Sequence, residues 1–256
     1  MQYTVSLLVV LQFPILYLYN IMSNFDFVKG EVLLIDKELE WTSFDAVKSI
    51  RGSLQKAHNV RRFKVGHAGT LDPLATGLLL ICTGKATKTI DSLQAQEKVY
   101  TGSIHLGATT PSYDRETEVD QTFPIDHITE ELLLNTAKTF EGEIEQTPPV
   151  YSALKIDGKR AYEYARKQEE VKMKSRKITI FYLKITKIFL PEVFFEVKCS
   201  KGTYIRSLAR DYGAALNSGA YLSSLRRTFI GDFSVEDAVK VSQIKEIIHS
   251  QLPPTQ

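Results

Sequence analysis

The sequence predicts a mixed α+β fold with a mostly antiparallel central sheet flanked by helices and loops, and three observations carry that prediction. Strand-like and helix-like segments are interspersed along the 256 residues without the βαβ rhythm of a doubly wound sheet. Two late segments, "KMKSRKITIFYLKITKIF" and "VFFEVKCSKG", alternate charged with β-branched or aromatic residues, which suits antiparallel strands covered on one face. Hydrophobic residues make up 43% and charged residues 24%, enough for a sizeable core and unlike a disordered or collagen-like chain.

The elements follow in order. "EVLLID", residues 31 to 36, is a short buried-strand pattern. "SFDAVKSIRGSLQKA", 43 to 57, spaces Phe44, Val47, Ile50 and Leu54 as one helical face, with Thr42 or Ser43 as N-cap. "GLLLIC" then predicts an apolar strand, "KATKTIDSLQAQ" a short helix and "KVYTGSIHLG" an alternating strand. Loop, helix and loop reach to about residue 150. After the two alternating strands, "TYIRSLARDYGAAL" predicts a helix, "YLSSLRRTFIGDF" a strand, and "SVEDAVKVSQIKEII" a closing helix with Ser234 and Asp237 at its start. Cys82 and Cys199 sit inside apolar stretches of a chain too large to be a disulfide scaffold. They read as reduced core thiols, and the expected location is the cytoplasm.

The first 28 residues are unusual, being largely apolar with no Lys or Arg before Lys29. A secretory signal would open with positive charge, and a membrane span would not be interrupted by Pro14 or carry Gln12 and Asn20. An early-called start, with Met22 as the true one, fits best, because an ordinary strand begins soon after. A weak anchor and a disordered tail are the alternatives.

Charge is segregated although the formal net charge is only +2. Residues 114 to 145 hold ten acids against two bases, whereas 151 to 184 hold ten bases against four acids and 198 to 227 hold six against Asp211 alone. Tyr151, Tyr162, Tyr164, Tyr182, Tyr204 and Tyr221 are interleaved with the cations, a mixture suited to phosphates and stacked bases. Solvated helix faces and edge strands would give the same composition.

No metal site is expected, since the five histidines lack ligand spacing and the two cysteines are 117 residues apart. "TGKATK" resembles the end of a phosphate loop, but Leu79 stands where the first glycine belongs. Neither GxSxG nor a Cys and His nucleophile pattern is present. What remains is "GHAGTLDPLATGLLLICTGKATK", residues 66 to 88, in which Pro73 restricts Asp72 to extended conformations and Gly66, Gly69 and Gly77 admit close backbone. Taken alone, Asp72 and Pro73 could equally be a turn initiator.

That string, with "KVYTGSIHLGATTPSYD", "PPVYSALKIDGKRAYEYAR" and "CSKGTYIRSLARDYG", resembles in order the motifs of the TruB family of tRNA pseudouridine synthases, over roughly residues 29 to 247. The resemblance implies the pseudouridine synthase fold and Asp72 as the catalytic residue. It implies breakage of the N1–C1′ bond of a flipped uridine, rotation of the base and reattachment through C5. No cofactor is implied. One carboxylate would suffice because the leaving base is itself the returning nucleophile and no water need be activated. Whether Asp72 attacks the ribose or removes a sugar proton stays open.

The same resemblance makes Tyr100 the tyrosine that stacks on the target base and a candidate for handling the C5 proton. Arg206 becomes the partner of Asp72, Tyr204 and Leu225 pocket residues, and His67 the residue that helps to extrude the nucleotide. Without it, Arg206 reads as a surface cation and His67 as a structural histidine. Lys155, Lys159, Arg160 and Lys201 become RNA-gripping cations, the first three in an insert over about 145–178. The implied substrate is the T arm of tRNA, with uridine 55 as target. No obligatory protein partner or membrane is implied, and a monomer is expected.

The domain expectation is an apolar extension over 1–24, a catalytic domain over 25–250 and no C-terminal PUA domain, which counts against the guide-RNA-dependent branch. "KELEWTSFD" places Glu38 and Glu40 where relatives carry proline and glycine, which leaves the turn geometry there open, and Ala68 replaces a common threonine. Two other classes compete with the enzyme: an RNA-binding folding helper, and a hydrolase with an aspartate nucleophile, which would need a second acid or a metal.

Overall fold

The computed structural model describes residues 25–251, with 153, 157, 168, 170 and 172 excepted. The expectations for the apolar N-terminal extension over 1–24, and for Met22 as the true start, lie outside the described residues. β1 (Val32–Lys37), β3 (Ala75–Thr83), β12 (Ala220–Ile230), β4 (Lys98–Leu106), β11 (Glu192–Cys199), β10 (Arg176–Phe189) and β7 (Gly142–Gln146) lie side by side in that order, forming one mixed sheet. β2 (Val65–His67) adds to β3 and β13 (Phe233–Ser234) to β12, while β5 (Ala108–Thr109) and β6 (Gln121–Thr122) pair apart from it. Among the described strands only β3 and β12 pair in parallel, and every other strand pairing in this sheet is antiparallel. The expected α+β class with a mixed, mostly antiparallel sheet is therefore observed.

β3 shows why its sequence is a continuous apolar run instead of an alternation. Leu79 and Ile81 point to one core, packing under α1 (Ser43–Ala57) and α6 (Val241–Ser250), while Leu78, Leu80 and Cys82 point to another. A strand covered on both faces must be apolar at every position. The third and largest core lies beneath the other half of the sheet. There Leu133 and Ala137 of α3 (Glu130–Thr139) and Leu208, Ala209 and Tyr212 of α5 (Ile205–Ala215) cover Ile104, Ile180, Phe195 and Val197. Both cysteines are free and buried.

The helix starts refine the sequence reading. Thr42 caps α1 in a capping box: its Oγ1 accepts from the Asp45 amide at 3.0 Å, and Asp45 Oδ2 accepts from the Thr42 amide at 3.0 Å. The Thr42 hydroxyl, which also donates to Asp45 Oδ2, and then the Thr42 amide draw the Asp45 carboxyl below its usual range. Ser43, the other candidate cap, is instead buried and turned inward. Phe44 does not join the apolar face. It is 59% exposed, because the buried stripe runs through Ser43, Ala46, Val47, Ile50 and Leu54 and leaves it on the flank beneath Arg51.

Three boundaries differ from expectation. β7 lies in a stretch read as loop, since "GEIEQ" offers one apolar residue, Ile144, in register with Ile178 of β10. "KATKTIDSLQAQ" divides into a 3₁₀ turn, Gly84–Thr89, and α2 (Ile90–Ala95). The closing helix begins only at Val241. Ser234 caps a separate 3₁₀ turn, Val235–Asp237, after which Val239 is drawn into a bridge beside Ile35 and its carbonyl accepts from the Asp36 amide. Between β7 and β10 the chain forms a two-stranded hairpin, β8 (Lys155–Ile156) and β9 (Lys159–Arg160), and α4 (Ala161–Arg166). Among the described residues no helix is long and apolar enough to cross a membrane.

Candidate active site

Asp72 stands in the loop between β2 and β3, and the backbone on each side of it is fixed. Upstream, the buried Ser43 hydroxyl accepts from the Leu71 amide at 2.8 Å and donates to the Leu71 carbonyl at 3.2 Å. Downstream, the Pro73 carbonyl accepts from the Glu40 amide at 2.9 Å and from Lys37 Nζ at 3.4 Å. Glu40 has φ +66°, the left-handed conformation that glycine adopts without strain, so the unusual residue keeps the turn. Lys37 is fully buried and also donates to the carbonyls of Glu38 and Trp41; burial lowers its pKa to about 8, against the attraction of Asp72. The "WTS" segment thus supports the carboxylate from behind.

Asp72 leaves 37% of its side chain open, whereas the Arg206 side chain beside it is 4% exposed. Arg206 Nη2 donates to Asp72 Oδ1 at 3.2 Å, and Nε lies 2.9 Å from Oδ2 without hydrogen-bond alignment. The guanidinium also donates to the carbonyls of Ser112 and Tyr151, and the buried Asp114 carboxylate lies 3.6 Å from Nε. Two carboxylates therefore flank one buried cation. Removing such a cation leaves buried charge uncompensated, at a cost of about 3–5 kcal/mol. The surface-cation reading of Arg206 is thereby corrected: it belongs to the inward face of α5.

Asp72 and Arg206 open on a cavity of about 770 Å³ that Tyr100, Tyr204, Leu225 and Lys201 also line. Tyr100 is buried on β4, and its phenol is pushed up by desolvation. The Tyr204 backbone is held on both sides by the buried Gln146 amide, which accepts from its N–H at 2.8 Å and donates to its carbonyl at 3.0 Å. Arg176 stacks 4.8 Å from the Tyr204 ring centroid.

Of the residues expected at the site, His67 lies outside the cavity lining. It ends β2, its ring Nδ1 is buried without an aligned hydrogen bond, and burial with the nearby Arg227 charge lowers its pKa despite a weak contact to the Gly69 backbone. Lys159 is exposed on the hairpin, 5.8 Å from the Tyr164 ring centroid. The Lys155 and Arg160 side chains lie outside what is described. Sequence reasoning missed Asp114, Gln146, Ser43, Lys37 and four cavity cations, Lys98, Arg176, Lys177 and Arg227. Among the described residues no three His, Cys, Asp or Glu side chains group as a metal site.

A family model, TruB family pseudouridylate synthase (N terminal domain), matches residues 55–205. The chain belongs to the TruB family. It is similar to tRNA pseudouridine synthase B of Flavobacterium johnsoniae, 57% identical over 226 residues that cover 88% of this chain and 99% of that protein. The enzyme of the same name from Phocaeicola vulgatus is 52% identical, over 88% and 96% of the two chains. Among solved structures, a Cbf5-Nop10-Gar1 complex contains a chain 30% identical with TM-score 0.65. The match covers 86% of this chain and 54% of that one, so this TruB chain spans about half its length. The family's reaction is an isomerisation of uridine, and the chain is an isomerase of this class.

Proposed function

We propose that this TruB chain converts uridine 55 in the T loop of tRNA to pseudouridine, with Asp72 as its catalytic residue. The observation that carries the reading is the geometry of Asp72: an open carboxylate, locked in its loop and paired to a buried arginine, lining a cavity that Tyr100 also lines. The similarity to enzymes named tRNA pseudouridine synthase B supports tRNA as the substrate. A uridine in a duplex cannot reach such a site, so the nucleotide must be flipped out of its stack, and the cavity has the size of ordinary small-ligand sites.

The N1–C1′ bond breaks, C1′ rejoins the base at C5, the C5 hydrogen leaves as a proton and N1 gains one, so nothing is consumed. Attack on C1′ and removal of a ribose proton both use Asp72 as a carboxylate, and the charge-assisted bond from Arg206 fixes its orientation. Tyr100, its phenol held neutral by burial, offers a ring face for stacking and Leu225 an apolar wall. Lys201, Arg176 and Lys177 stand at the cavity as counter-charges for RNA phosphates, with Lys159 nearby in sequence on the hairpin. His67, at the end of β2 where the catalytic loop begins, is assigned to nucleotide extrusion. No protein partner enters this scheme.

The test is incubation with an unmodified tRNA transcript, followed by chemical mapping of pseudouridine. Conversion confined to the T-loop uridine is expected; conversion elsewhere, or none, would refute the assignment.

A further inference from the structure

Arg227 sits in β12 where the strand pattern calls for an apolar side chain. Leu222, Leu225 and Ile230 of the strand are buried, and among them Arg227 is 1% exposed. Its cross-strand neighbours are Tyr100 of β4 on one side and Gly77 of β3 on the other. Gly77 has φ +101°, and a Cβ there would lie 2.3 Å from the Arg227 carbonyl oxygen, so only glycine admits this close approach.

From this row the guanidinium crosses to the catalytic loop. Nε donates to the Leu78 carbonyl at 2.7 Å, Nη2 to the Gly69 carbonyl at 3.2 Å and Nη1 to the Thr70 carbonyl at 3.5 Å. No described carboxylate forms an ion pair with it; the acids of the site turn to Arg206 instead. Burying a guanidinium without a carboxylate is less favourable than packing an apolar chain of similar volume, so core packing does not explain the residue. A planar fork that reaches one strand carbonyl and two loop carbonyls does, and lysine cannot reproduce it. The neighbourhood registers the charge. After burial it is the next influence lowering His67 and Lys98, and it is the largest opposing the upward push on the Tyr100 phenol.

We propose that Arg227 is a positioning residue: it ties the Gly69–Thr70 turn, which delivers Asp72, to the strand that carries Tyr100, so that carboxylate and ring face the target base at a fixed separation. This rests on the reading that Asp72 and Tyr100 serve uridine isomerisation. Arg227→Lys keeps the charge without the fork, and Arg227→Met removes the charge at similar volume.

Three quantities are measured on each full-length variant: tRNA affinity, single-turnover rate per folded molecule, and amide hydrogen exchange at Leu71. Both variants are expected to bind tRNA as the wild type does, to turn over roughly 10²-fold more slowly, as a displaced reacting group does, and to exchange the Leu71 amide faster. Should Arg227→Met fail to fold, Arg227→Lys carries the test. Wild-type turnover and exchange in a folded Arg227→Lys would overturn the proposal, as would a lower folded fraction with an unchanged rate per folded molecule. If the wild type does not isomerise tRNA, the functional reading fails on its own. Leu71 exchange then still decides whether Arg227 holds the loop: faster supports it, unchanged overturns it.

Discussion

On one side of the cavity the loop that carries Asp72 is fixed by backbone and largely buried side-chain contacts, whereas the other side carries cations that are exposed or half-buried, Arg176 among them over the Tyr204 ring. The first side comprises the Ser43 clasp, the Lys37 amine, the Glu40 turn and Arg206. The second comprises Lys201, Arg176 over Tyr204, Lys177 paired to the exposed Glu143, and the short hairpin with Lys159. Exposed ion pairs contribute about 0–1 kcal/mol, whereas a buried donor left unpaired costs about 1–3 kcal/mol. The difference suggests a division of labour in which the buried side sets the chemistry and the exposed side sets affinity for a polyanion.

Three substitutions would break or sharpen that contrast. Ser43→Ala strips both bonds from Leu71 in a dry environment. It should lower unfolding free energy by about 1–3 kcal/mol and slow turnover at saturating tRNA by roughly tenfold or more. Denaturant melts and single-turnover rates check this, and an undisturbed rate would detach the clasp from the chemistry. Lys201→Glu should act oppositely, weakening tRNA binding roughly tenfold at 0.1 M salt and flattening its salt dependence while the saturated rate holds. A salt titration of the binding constant reads both. The smallest effect belongs to Glu40→Gly, which relieves a left-handed glutamate and should add about 0.5–1 kcal/mol to stability by thermal unfolding, with turnover unchanged.

What could be read from the sequence follows the same divide. The cores were legible where burial on both faces forces an apolar run, as in β3, or where one covered face forces alternation, as in β10 and β11. β7 was not, because a strand of glutamates around Ile144 has no periodic signature, and neither was the delayed start of α6, which depends on Val239 pairing with β1. Asp72, Tyr100, Tyr204, Arg206 and Leu225 reach one cavity from distant parts of the chain, and only the family motifs linked them beforehand.

Asp114 stayed hidden because it is one of ten acids in its segment. Ser43 was hidden because a capping serine and a clasping serine look alike beside Thr42. Arg227 left a signal that could have been used: a cation in the same inward register as Leu225 must find partners inside.

The most direct test of the division compares binding with turnover in Asp72→Asn. The asparagine keeps the shape and removes the charge that Arg206 faces. Unmodified tRNA labelled with tritium at uridine C5 is bound to each protein, and label release is followed in a single turnover. The account predicts wild-type affinity with no release above background from Asp72→Asn. Release at the wild-type rate from that variant would contradict it.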